Sequence, residues 1–317
     1  MSEGRTNPRV SVVMCTYCGT KYLEEQLQSI ADQTLQPLEL VVCDDASHDG
    51  TVALLERFRQ EAPFPVHVVV NSSNLGSTRN FDQALRRASG DLLALADQDD
   101  VWLPQKLEVL ARTLEGNPQS GGAFSDAYLI DGEDRLMGKK TLWGLHRFGH
   151  RKQDAFAHGG AIRLLMRHDI VTGCTMMVRA KLLSTWSPIP PSWVHDGWIT
   201  WMLSLEAALM PISEPLMMYR VHPEQQVGVK KTTSEPERDR HARVAKQFEE
   251  LNLHIVNDYP EKIEIIDLIR SKIDFLRRRA RLPTNHAARL AAIGWNACDY
   301  CRYARGWRSA LKDMTLS

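Results

Sequence analysis

The chain has 317 residues, and its 39 Lys or Arg are balanced by 39 Asp or Glu. That balance excludes a whole-protein pull toward nucleic acid, and 43% apolar with 25% charged residues is the composition of a soluble globular chain. No apolar run approaches the ~20 residues that cross a bilayer. The polar opening, Met1 to Arg9, lacks a signal peptide's apolar core, so a cytoplasmic location is expected. The length admits one large α/β domain with an appendage, or two domains.

Val10 to Cys15 is an apolar, β-branched run of buried-strand type. Tyr22 to Ala31 then has helical periodicity, with Leu23, Leu27 and Ile30 on one face. Leu38–Cys43, Val66–Val70 and Leu92–Ala96 read as three more strands, with helices over Thr51–Gln60 and Arg79–Ala88 between them. The resulting β-α-β-α-β-α-β pattern predicts a Rossmann-like, mostly parallel central sheet with helices on both faces. Ligands of such sheets bind beyond the carboxyl ends of the strands. The polar clusters Thr16-Tyr17, Asp44-Asp45, Asn74-Leu75-Gly76 and Asp97-Gln98-Asp99 all fall there. Neither a G-x-G-x-x-G turn nor a G-K-[ST] loop is present, which excludes the common dinucleotide and P-loop phosphate cradles.

The fourth strand runs straight into Asp97-Gln98-Asp99-Asp100, followed by Trp102 and Pro104. Three carboxylates within four residues repel one another unless a cation lies among them. Oxygen ligands suit a hard ion, Mg²⁺ or Mn²⁺, of the kind that bridges carboxylates to a diphosphate. A solvated acidic turn with a helix N-cap is the alternative.

Pro104 opens a helix to about Glu115, and Gly122–Ile130 is strand-like. Leu136 to His168 has weak periodicity and reads as a loop-rich insertion suited to acceptor contacts. Val171–Val178 is strand-like, Ala180–Trp186 a short helix, and Ile212–Val221 extended. Between the last two, Trp193-Val194-His195-Asp196-Gly197-Trp198 opens a helix that runs to about Leu209. A lone Asp at that position would be an N-cap, but two Trp and a His flank this one.

Six cysteines include two C-x-x-C pairs, Cys15/Cys18 and Cys298/Cys301. They lie nearly a chain length apart on elements of different type, which argues against a shared zinc site and for reduced thiols. The tail from Lys230 is helical in pattern. Eleven Lys or Arg against three Asp or Glu between Leu268 and Ser317 give it a net +8. Trp295, Tyr300, Tyr303 and Trp307 alternate there with Arg302, Arg305 and Arg308. A helical cap, a homodimer contact and a peripheral membrane-surface element all stay open for it. No nucleic-acid-binding pattern accompanies Arg277-Arg278-Arg279.

Taken together, residues 9–228 resemble a family 2 glycosyltransferase of GT-A fold. The resemblance rests on Ser11-Val12-Val13 with Thr16-Tyr17, Ser29-Ile30 with Gln33-Thr34, and Asp44-Asp45 with Asp49-Gly50-Thr51. It continues through Asn74-Leu75-Gly76, Asn80-Phe81 and Gly90-Asp91 to Asp97–Asp100. It implies a catalytic domain over 1–228 and a basic helical region over 229–317. Asp97 to Trp102, His195 to Trp198 and Tyr219 to His222 further resemble rhamnosyltransferase-like members. That implies a dTDP-L-rhamnose donor and a saccharide or lipid-linked acceptor in bacterial surface polysaccharide synthesis. A UDP-hexose or UDP-N-acetylhexosamine donor is the alternative on the same fold, and a non-catalytic carbohydrate-binding protein the one outside it.

By the same resemblance Thr16, Tyr17, Asp45, Arg79 and Asp97 face the nucleotide-sugar donor. Asp97, Asp99 and His222 hold Mg²⁺ or Mn²⁺, and Asp100 supports them. The resemblance also makes Asp196 the catalytic base of a direct, inverting displacement. Trp102, Trp198 and His195 are the candidates to lie against acceptor or sugar, with a core role the alternative for the indoles. Cys18 departs from the pattern, since the family usually carries Asn there.

Overall fold

The computed structural model describes residues 8–225 and 235–315. The expected boundary at 228/229 and the first seven residues lie outside the described residues. The first apolar runs become β1 (Val10–Thr16), β2 (Glu39–Asp44), β3 (Val66–Val70) and β4 (Leu92–Ala96). Between them lie α1 (Leu23–Ala31), α2 (Thr51–Glu61) and α3 (Ser77–Leu85). The central strands β1, β2 and β4 are buried on both faces, which is why they read as continuous hydrophobic runs rather than alternating ones.

The rest of the sheet comes from β5 (Val101–Trp102), β6 (Gly122–Asp131), β7 (Leu136–Thr141), β8 (Met176–Arg179) and β9 (Leu209–Val221). The order is β3-β2-β1-β4-β8-β6-β9-β5, with β7 paired to β6. Strands β1 to β4 are mutually parallel, β8 is antiparallel to both β4 and β6, and β9 runs parallel to β6. Register places Thr16 beside Asp44 and Asp44 beside Val70, while Met14 faces Ala96. The turns after all four strands therefore leave from one edge.

The remaining helices of this part are α4 (Lys106–Gly116), α5 (Leu142–His146), α6 (His150–Ala155), α7 (Ala161–Leu165), α8 (Leu183–Trp186) and α9 (His195–Glu206). The insertion expected to be loop-rich is instead mostly regular. It forms β7, α5, α6, a π-turn over Phe156–Gly160 and α7. An aromatic cluster packs it: Phe124 of β6 lies 5.4 Å from Trp143, 6.0 Å from Phe148 and 5.3 Å from Phe156. The expected strand at Val171 begins only at Met176, after a 3₁₀ turn at Gly173–Thr175.

The chain divides into two compact units, Met1–Ala161 with Ile170–Lys231, and Ile162–Asp169 with Thr232–Ser317. The second is helical: α10 (Glu237–Asp258), α11 (Ile263–Ala280), α12 (His286–Trp295), α13 (Ala297–Tyr303) and α14 (Trp307–Met314). Phe248, Leu251 and Ile255 of α10 and Ile269, Phe275 and Leu276 of α11 form its apolar interior. Inside it Arg279 donates to both oxygens of Asp313, at 2.7 and 2.9 Å, and the Tyr300 hydroxyl donates to one of them. Lys272 is also buried and donates to the carbonyls of Met166 and Tyr303. Lys272, Arg279, Arg289, Tyr300 and Tyr303 of the basic and aromatic tail are thus interior, while Trp295, Trp307, Arg302, Arg305 and Arg308 stay exposed.

Candidate active site

The turns at the carboxyl edge enclose one cavity. Thr16, Tyr17, Asp45, Asp97, Gln98, Asp99, His195 and Asp196 line it, with Ser77, Asn80 and Phe81 of α3. Among the described residues no Lys or Arg lines it. A second hollow shares Tyr17, Gln98, Asp99 and Gln225 with it and adds Lys21, Tyr22, His222 and Glu224.

The β1 and β4 turns are tied by one side chain. The Gln98 amide accepts from the Tyr17 N–H at 2.8 Å and donates to the Tyr17 carbonyl at 3.1 Å. A β-carbon at position 19 would fall 2.4 Å from Gln98 Oε1, so the turn needs Gly19. Cys18 has a φ of 47°. That is the left-handed region, which Asn tolerates and most residues avoid. The family's Asn at this position has a backbone reason.

Asp44 is structural: it accepts from the Thr16 hydroxyl, the Ser47 N–H and the Ser47 hydroxyl. Thr16 is thereby committed through its own hydroxyl. Asp45 gathers the loop after β3, accepting from Asn71 and the Leu75 N–H on one oxygen and from the Gly76 N–H on the other. The second oxygen keeps one lone pair free to accept from a bound base.

At the β4 end, burial, then Asp99, then Asp196 push the Asp97 carboxyl up to about 7. Asp99 lies against His222, whose Nε2 is 2.8 Å from its carboxylate. The oxygens of Asp97 and Asp100 and the Cys174 sulfur all lie within 4.8 Å of one another. Burial and the two carboxylates push the Cys174 thiol up, so it stays protonated and is no ligand for a hard ion. Asp100 is buried and accepts from the Arg220 N–H at 3.0 Å, a supporting position. That leaves Asp97 and Asp99 as the carboxylates of this turn that line the cavity, with His222 of the adjoining hollow held against Asp99.

Asp196 sits in the first turn of α9. Its oxygens accept from the Gly173 and Gly197 N–H groups at 3.0 and 2.7 Å, and burial raises its pKa. His195 is buried, stacks on Phe81 at 3.9 Å, and has no hydrogen-bond partner on either ring nitrogen. Burial lowers it to about 3, so it is neutral and able to donate and accept. A β-carbon at Gly173 would fall 2.6 Å from His195 Nε2, so this approach also requires glycine.

Three expected site residues lie elsewhere. Trp102 is 2% exposed and packs under Lys106, whose Nζ is 3.8 Å from its ring centre. Trp198 is 2% exposed and donates to the Trp186 carbonyl. Neither offers a face to a sugar, because both rings fill the interior. Arg79 points from the outer side of α3 and is exposed, while its neighbours Ser77, Asn80 and Phe81 line the cavity.

Two residues not expected at the site organise it. Arg220 is fully buried, donates to the Asp99 carbonyl at 2.7 Å, and pairs with Glu25 and Asp134. Lys106 is fully buried beneath the carboxylates and donates to the Cys174 carbonyl. Burial lowers its pKa to about 7 despite Asp100 and Asp97 nearby. The Tyr219–His222 motif carried the signal for Arg220. Nothing in the sequence distinguishes Lys106 from a solvated helix residue.

A family model described as glycosyl transferase family 2 matches residues 11–185. The chain belongs to that family. An uncharacterized glycosyltransferase of Nostoc is 24% identical over 260 residues, covering 80% of this chain and 76% of its own length. A putative teichuronic acid biosynthesis glycosyltransferase of Bacillus subtilis is 35% identical over 118 residues, 37% of this chain and 45% of its own. Among solved structures, S. aureus TarS (residues 1–349, in complex with UDP-GlcNAc) aligns with a TM-score of 0.58 at 19% identity, over 90% of this chain and 80% of that one. A mannosyltransferase from Pyrobaculum calidifontis, in complex with GDP-Man and Mn²⁺, aligns with a TM-score of 0.58 at 19% identity, over 93% and 76%. Both structures share this α/β fold.

Proposed function

We propose that this family 2 glycosyltransferase is a cation-dependent, inverting enzyme. It moves L-rhamnose from dTDP-L-rhamnose to a saccharide or lipid-linked acceptor in bacterial surface polysaccharide synthesis. One observation carries the reading: carboxylates from three separate segments, Asp45, Asp97 with Asp99, and Asp196, converge on a cavity that, among the described residues, is lined by no Lys or Arg. An anionic diphosphate enters such a cavity only with a cation. Asp97, Asp99 and His222 would hold that ion, and bound Mg²⁺ or Mn²⁺ supplies charge neutralisation for the departing nucleoside diphosphate. The structure with GDP-Man and Mn²⁺ supports this choice.

Asp45, with Thr16 and Tyr17 beside it, receives the base and ribose. Asp196 takes the proton from the attacking hydroxyl, with two backbone N–H groups fixing its orientation. One base across the cavity from the leaving group gives inversion. His195 is an unpartnered ring placed to bond a sugar hydroxyl.

The rhamnose donor rests on the three motifs. A UDP-hexose or UDP-N-acetylhexosamine donor is the second reading, favoured by the UDP-GlcNAc complex of TarS. It is also favoured because Gln98 and Trp102 are fully used by the scaffold. Nucleoside diphosphate release from a panel of nucleotide sugars, with Mn²⁺ and with EDTA, tests both. Turnover with dTDP-L-rhamnose alone, abolished by EDTA, is the expected result. Preference for a UDP sugar overturns the donor, activity in EDTA overturns the cation, and no release with any donor leaves a carbohydrate-binding protein.

A further inference from the structure

The helical unit carries a surface that the transfer reaction does not use. Trp295 is 91% exposed and Trp307 67% exposed, with Leu290 and Leu311 also exposed on the same two helices, α12 and α14. On α12, Ala287, Leu290, Ala291, Gly294 and Trp295 form one exposed apolar stripe at helical spacing, opposite the buried Arg289 and Ile293. An indole with almost all of its surface in water gains nothing from folding, and two on neighbouring helices of one unit mark a surface that is covered in use.

The charges around these rings have one free sign. Arg281, Arg302, Arg305 and Arg308 are exposed. The acidic residues between positions 281 and 315 are Asp299 and Asp313. Asp299 is paired with Arg278 at 2.6 Å, and Asp313 is sequestered by Arg279. A hollow lined by Asp274, Arg277, Arg278 and Arg281 opens beside Ala292 and Asn296 of α12, one residue from Trp295; Arg277 is paired with Glu249 and Asp274 and Arg278 with Asp299, while Arg281 is exposed. The surface thus combines outward indoles and leucines with the exposed guanidinium groups of Arg281, Arg302, Arg305 and Arg308.

We infer that α12 and α14 dock this protein on an anionic phospholipid surface. Indole rings prefer the headgroup boundary, where the ring is sheltered and its N–H stays wet, and arginines reach phosphates from beside it. A second copy of the same face fits poorly, because it would set Arg302, Arg305 and Arg308 against themselves. Among the described residues no helix is long and apolar enough to cross a membrane, so attachment is peripheral. The inference is independent of the donor reading.

Sedimentation of the full chain with vesicles tests it, comparing phosphatidylcholine alone with phosphatidylcholine containing phosphatidylglycerol. Binding is expected only with phosphatidylglycerol, weakening with salt, with a blue shift of tryptophan emission. Trp295→Ala with Trp307→Ala should weaken it at least about 10-fold. Arg302→Gln, Arg305→Gln and Arg308→Gln together should weaken it about 100-fold, at roughly tenfold or less per charge. Both variants alter exposed side chains of the helical unit and should keep wild-type circular dichroism. Equal binding to both vesicles, full binding by the tryptophan variant, or a dimer in light scattering that Trp295→Ala dissociates would overturn the assignment.

Discussion

Each unit of this chain holds a buried carboxylate cluster, and the two are built in opposite ways. In the helical unit Asp313 is buried, yet Arg279, Tyr300 and His241 outweigh that burial and hold it below the usual carboxylate range. In the catalytic unit Asp97 is burdened by burial and by Asp99 and Asp196, and the Cys174 side chain and the buried Lys106 offset them only in part. The first cluster is complete without a ligand. The second is an electrostatic deficit that only something positive can fill. Satisfied charge marks architecture here, and unsatisfied charge marks the site.

The contrast can be broken by mutation. Asp196→Asn should reduce turnover about 10²- to 10⁴-fold while donor affinity by calorimetry stays near wild type, as removal of a general base requires. Loss of donor binding instead would make Asp196 part of the donor site. Asp313→Ala should destabilise the helical unit by about 3–5 kcal/mol, because it strands Arg279 inside, and denaturant unfolding would show it. A milder version needs no mutation. The lowered pKa of Asp313 gives stability that is present above the unfolded-state value of about 4 and is lost as pH falls below it. An acid titration by circular dichroism should therefore show helix loss beginning there.

Asp97 carries the opposite sign. Its raised pKa makes the folded state cost more as pH climbs from about 4 to about 7. Asp97→Asn should raise the melting temperature of the metal-free protein at pH 8 by about 2–4 °C, the shift that ~1 kcal/mol gives in a unit of this size. The same variant should lose donor binding. The smallest effect belongs to Cys18→Asn, which relieves a left-handed backbone position and should add up to about 1 kcal/mol without changing turnover.

The parallel half of the sheet was legible because its strands are continuous apolar runs and its turns collect polar residues at one end. Beyond Pro104 the pattern fades for physical reasons. Helices of five and six residues, such as α5 and α6, are too short to show a period, and they are held by Phe124, Phe148 and Phe156 rather than by propensity. A two-residue strand such as β5 exists only because β9 lies beside it. Trp102 and Trp198 show the converse problem: an indole next to an acidic motif reads equally as a sugar platform or as core. Asp97, Asp99 and Asp196 were legible as carboxylates, but the groups that set their environment, Lys106 and Arg220, come from a helix and a strand that the motifs only graze.

The paired hydrogen bonds of Gln98 to the Tyr17 backbone make the β1 turn and the β4 turn of the cavity one mechanical part. Exchange of the β1 turn or the β4 turn alone between family members would break that tie and disturb both sides at once. A redesign of this cavity edge must therefore move both turns together.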